Sequence, residues 1–109
     1  MFSNEILFKD VKPGMLIQGH RHFGLIAAIH QEGNLGAIFE GKPYLEMYDA
    51  QDVYYGSSLS TFFPEEMVTV ISGEEREIII KKILKDLELR SNDIRKDLVR
   101  VEALLDAQD

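Results

Sequence analysis

Cysteine is absent from the 109 residues, which excludes a disulfide framework, a thiolate metal site and a cysteine nucleophile, and suits a reducing compartment. A surplus of positive charge is also missing: 12 Lys and Arg stand against 19 Asp and Glu, for a formal net charge of −7. Neutralising phosphates takes an excess of cations on one face, so binding to nucleic acid is not expected. Neither part of the chain escapes this balance, because residues 1–71 carry four basic and nine acidic side chains and residues 72–109 carry eight and ten. Long apolar runs are lacking too. Stretches such as Gly24 to Ile29 fall far short of the ~18 residues that cross a bilayer, and no charged and then apolar leader opens the chain. These absences point to a cytoplasmic protein with no membrane contact and no cofactor.

What is present falls into two regions. All ten aromatics lie before residue 64, whereas residues 72–109 are aliphatic and charged. The expected division is a small β-rich globular domain over 1–71 and a long amphipathic oligomerisation helix over 72–109. Within the first, Pro13-Gly14 favours a turn, because proline presets φ and glycine tolerates positive φ. A strand should follow over Met15 to Gln18. Gly24 to His30 is the strongest strand signal, and Gln31-Glu-Gly-Asn34 supplies turn residues to reverse it into Leu35 to Glu40. Tyr44 to Met47 reads as a short extended segment and Met67 to Ile71 as the closing strand. Asp49 to Tyr55 has helical spacing with Gly56 just beyond, and Ser57 to Thr61 reads as polar loop. The expected fold class is α+β: a small bent antiparallel β-sheet of four to five strands, barrel-like, with one short helix, followed by a long C-terminal coiled-coil helix.

The tail carries the clearest pattern. Ser72-Gly-Glu-Glu75 is a capping-box sequence, and beyond it Ile80, Leu84, Leu87, Ser91, Ile94, Leu98, Val101 and Leu105 recur at alternating steps of four and three. A helix of about 34 residues would be about 50 Å long, more than a domain of this size covers alone. In a parallel pair the flanking positions clash, with Arg90 meeting Arg95 and Asp97 meeting Glu102. In an antiparallel pair they match: Arg90 with Asp97, Ile83 with Leu104, Glu88 with Arg95 and Lys81 with Glu102. The expectation is a homo-oligomer, dimer or higher, joined through Ile80, Leu84, Leu87, Ile94, Leu98, Val101 and Leu105. Two other arrangements use the same pattern: a helical hairpin turning near Ser91-Asn-Asp93, and an amphipathic tail lying across its own sheet.

Chemistry-bearing residues are sparse. His20-Arg21-His22 is the only dense cationic spot before residue 72. A planar guanidinium fork and two tunable imidazoles suit an anionic ligand, and a solvated loop is the competing reading. A metal site would need His20, His22 and His30 to converge, and no spacing enforces that. Glu40, Glu46, Asp49 and Asp52 surround the tyrosines, a composition that can cradle a base by stacking and hydrogen bonding or simply form half-buried core. The candidate ligand-binding residues are His20, Arg21, His22, Phe23, Tyr44 and Tyr48. There is no glycine-rich phosphate loop and no nucleophile elbow.

Gly19-His-Arg-His-Phe-Gly-Leu-Ile26, Gly41 to Tyr54 and Leu59 to Met67 with Pro64-Glu-Glu resemble a pattern in small bacteriophage proteins. There a Gly-x-Arg-His is followed by an aromatic, an Arg-x-Glu-Ala and an acidic pair. Arg21 and His22 match the Arg-His pair, Tyr44 the aromatic and Ala50 the alanine, while Met47 stands where the pattern has arginine. The resemblance covers about half the chain and implies a phage-borne protein working in the host cytoplasm. The expected function is a non-enzymatic, homo-oligomeric binding protein that occupies a host protein or sequesters an anionic, nucleotide-like ligand. The alternatives are a structural adaptor that spaces its β-domains with the coiled coil, and a small metal-dependent hydrolase.

Overall fold

The structure, a computed structural model, describes residues 4–19, 22–30, 43–53, 56–89 and 95–107. Strands β1 (Glu5–Leu7), β2 (Leu16–Gln18), β3 (Phe23–His30), β4 (Tyr44–Asp49), β5 (Ser58–Thr61) and β6 (Met67–Ile71) precede helices α1 (Gly73–Leu87) and α2 (Arg95–Ala107). The strands form one antiparallel sheet in the order β1-β6-β2-β3-β4-β5.

This sheet corrects the barrel-like expectation, and adjacent residues explain why. Leu16 and Ile17 are both buried, as are Leu25 and Ile26, although neighbours in a strand point to opposite faces. A closed barrel has one interior. Here both faces are apolar, so the sheet stays open and is covered from two sides. Leu16, Leu25, Tyr48 and Ile71 face the helices. Ile17, Ile26, Leu45 and Val68 face the segment around Phe8, Val11 and Phe62.

Several local expectations also change. β1 is a sixth strand of three residues, and Ser58–Thr61, read as loop, pairs with β4. The neighbour of β3 is Tyr44–Asp49; the expected return strand over 35–40 lies outside the described residues. In place of the short helix expected over 49–55, Asp49 ends β4 and a tight turn follows, with Asp52 N–H donating to the Asp49 carbonyl at 2.9 Å, and Val53 is 3-10 helical, with Gly56 N–H donating to its carbonyl at 2.8 Å; Tyr54 and Tyr55 lie outside the described residues. The Pro13-Gly14 turn forms, with Gly14 at φ 96°.

The long coiled-coil helix is replaced by two helices of 15 and 13 residues. Ile80, Ile83 and Leu87 of α1 and Val101 of α2 are completely buried in one cluster with Leu16, Leu25 and Tyr48, and Leu84, Leu98 and Leu105 pack partly buried against it. The apolar stripe thus finds its cover within its own chain. Folding back lets one broad sheet face shield both helices without the entropic cost of association. Both arrangements weighed beside the rod, hairpin and tail on sheet, occur together. The low-propensity segment Ser91-Asn-Asp93 and the stripe residue Ile94 lie outside the described residues. Ser72 caps α1 with extended φ and ψ, yet its side chain makes no capping hydrogen bond, so the capping box does not form.

Candidate functional site

The six residues expected to bind ligand do not converge. Tyr44 and Tyr48 lie on the helical face of the sheet and are buried. Tyr44 stacks on His30 with ring centroids 4.6 Å apart. The Tyr48 hydroxyl donates to Asp97 of α2 at 2.8 Å. Burial, and then the Asp97 carboxylate, push the Tyr48 phenol up to about 12. Beside it, Arg100 of α2 grips Glu46 of β4 through two bonds of 2.6 and 3.2 Å, and the Ser57 hydroxyl donates to the same carboxylate at 2.8 Å. The paired guanidinium above all holds the Glu46 carboxyl down at about 2 against an ordinary 4.5, although burial opposes the shift. These groups fasten α2 to the sheet.

A second hollow of about 620 Å³ lies beside the start of α1, lined by Met15, Arg76, Lys81, Leu105 and Asp106 among others. Its one buried cation is already engaged. Arg76, 7% exposed, donates from Nη1 to the Leu105 carbonyl at 3.0 Å and from Nη2 to those of Leu104 at 2.7 Å and Gly14 at 2.8 Å. It ties the last turn of α2, where helix carbonyls lack internal partners, to the turn before β2.

The opposite face of the sheet carries the more promising cavity, about 350 Å³, near the lower end of the ~300–1,000 Å³ usual for small-molecule sites. Its walls are Phe8 and Phe63 from the segments flanking β1 and β6, Ile17 of β2, Met47 of β4 and Val68 of β6; Phe23 of β3 also borders it, although its side chain packs against the helix-facing core. Gly24 forms part of the floor. A Cβ there would come within 2.9 Å of the Met47 sulfur, so the methionine occupies the space a side chain at position 24 would take.

One polar pair stands on this apolar wall. His22, just before β3, brings Nδ1 to 3.1 and 3.0 Å from the two Asp49 oxygens at the end of β4. Register places them together, because Gly24 pairs with Asp49. Asp49 is itself oriented by the Gln51 backbone N–H, at 2.8 Å. Carboxylate oxygens only accept, so Nδ1 carries a proton, and in the neutral form of the ring Nε2 is an acceptor. Nε2 has no hydrogen-bond partner among the described residues. Ser60, Thr61 and Glu66 complete the polar part of the lining.

Of the expected ligand residues, His22 and Phe23 therefore reach the cavity, and Tyr44 and Tyr48 do not. Gly19 N–H donates to the His22 carbonyl at 3.1 Å, closing the β2–β3 ladder; the two residues between them, His20 and Arg21, lie outside the described residues. His22 and His30 stand at opposite ends of β3, roughly 25 Å apart at ~3.3 Å per residue, too far to share a metal. Among the described residues no group of three His, Asp or Glu is placed to hold one. The cavity residues that local reading missed, Phe8, Met47, Phe63 and Glu66, come from three separate segments, Phe63 and Glu66 sharing the turn between β5 and β6. The chain matches no protein-family model, no curated protein and no solved structure.

Proposed function

We propose that this chain is a non-enzymatic binding protein whose cavity takes the planar ring of a small, nucleotide-like organic ligand. The carrying observation is the His22–Asp49 pair, whose Nε2 has no hydrogen-bond partner among the described residues, on the wall of a largely apolar, aromatic-lined cavity. A concave apolar site with a few convergent polar groups is the general form of a small-molecule site. Phe8 and Phe63 supply ring faces for stacking, and His22 supplies orientation. Asp49 stands on the wall and no described lining residue is Lys or Arg, so the anionic part of such a ligand stays outside the cavity. In the bacteriophage setting that the resemblance implies, the protein acts by withholding the ligand from its host. The adaptor alternative loses the coiled coil on which it depended.

Titration with indole as a ring probe, followed by amide NMR, tests this reading. Saturable shifts at Gly19, Gly24 and Ser60, abolished by Ser60→Phe in a variant that remains folded, are the expected result. No saturable shift at these amides in the wild-type protein would overturn it.

A further inference from the structure

The cavity's hydrogen-bonding polarity allows the ligand class to be narrowed, an inference that rests on the binding reading above. We infer that the cavity selects a neutral heteroaromatic ring that presents an N–H donor, from a ring nitrogen or an amino group, to Nε2 of His22. The basis is the direction of each hydrogen bond. Gln51 N–H donates to Asp49 at 2.8 Å, which turns the carboxylate toward Nδ1 of His22 at 3.0 and 3.1 Å. That contact fixes a proton on Nδ1, so that in the neutral form of the ring the lone pair sits on Nε2. The carboxylates of the lining, Asp49 and Glu66, accept as well. No described lining residue is Lys or Arg, so an anionic group meets repulsion inside, and a ring offering only acceptors meets a lone pair facing a lone pair. A ring N–H satisfies Nε2 while its faces lie against the aromatic walls.

The tautomer can be inverted without changing shape. In Asp49→Asn the amide oxygen still accepts from Gln51 N–H, while the amide nitrogen donates to Nδ1 of His22. The imidazole proton then moves to Nε2, which becomes a donor. The same cavity should now prefer an acceptor ring.

Indole and benzofuran form the probe pair, nearly equal in shape and differing in a ring N–H against a ring oxygen. Dissociation constants from NMR titration of the intact chain are expected to favour indole roughly fivefold to tenfold in the wild-type protein, with the order reversed in Asp49→Asn. Equal affinities in the wild-type protein, or an unchanged order in Asp49→Asn with its fold intact by amide NMR, would overturn the inference. If both probes bind saturably and Ser60→Phe blocks both, that outcome leaves the binding reading standing while the donor preference falls. If neither binds the wild-type protein, the binding reading itself falls and takes this inference with it.

Discussion

Glu46 carries more of the link between sheet and helix than its size suggests. It accepts from Arg100, Ser57 and, more distantly, His30, and its carboxyl is held at about 2 instead of 4.5. A depressed carboxyl contributes stability that is complete above its unfolded value and disappears as the proton binds to the folded state. Its share, about 2 kcal/mol for a partly exposed pair, is therefore present above about pH 4.5 and lost as pH falls toward 2. Denaturant midpoints of the wild-type protein and Glu46→Gln measured against pH should differ most near neutrality and converge in acid. A constant gap down to pH 2 would show that the ion pair is not its source. Tyr48 behaves in the opposite sense. Its phenol is raised from 10.0 to about 12, so the stability it contributes is full below pH 10 and declines as pH rises toward 12.

The helices give a sharper contrast between pattern and environment. Leu87 is fully buried in the shared core, and Leu89, two residues on, is 72% exposed. Leu87→Ala should cost about 2–5 kcal/mol in equilibrium unfolding, and Leu89→Ala no more than ~0.5 kcal/mol; similar costs would contradict this packing. The spacing of Ile80, Leu84, Leu87, Leu98, Val101 and Leu105 identified the buried stripe, because a helical period reports which face avoids water. It could not report what covers that face. Antiparallel complementarity is the same whether the second helix belongs to a partner or to the same chain, and only the sheet face with Leu16, Leu25 and Ile71 decides the matter. β3 and β6 were legible because β-branched and small apolar residues cluster there. β1 and β5 were not: three residues in one and Ser-Leu-Ser-Thr in the other carry almost no periodic signal, and pairing with a neighbour makes them strands. At the candidate site, His22 and Phe23 stood out locally, whereas Asp49 reaches His22 across 27 positions through register alone.

For the molecule as a whole, two apolar clusters share one six-stranded sheet, one on each face, so the chain should unfold as a single cooperative unit. With the stripe turned inward, its thermal midpoint should stay constant as protein concentration is raised from low micromolar to near millimolar in calorimetry. A midpoint that climbs with concentration would mean that association supplies part of the stability. The Arg76 clasp has a consequence of a different kind. All three of its acceptors, at Gly14, Leu104 and Leu105, are main-chain oxygens, present whatever side chains those positions carry. Sequence drift at the clasped positions changes packing and leaves the hydrogen bonds intact, while the arginine has no substitute able to reach three carbonyls at once. Divergent descendants of this chain should therefore keep a single arginine in the first turn of α1 long after the residues it holds have ceased to look alike.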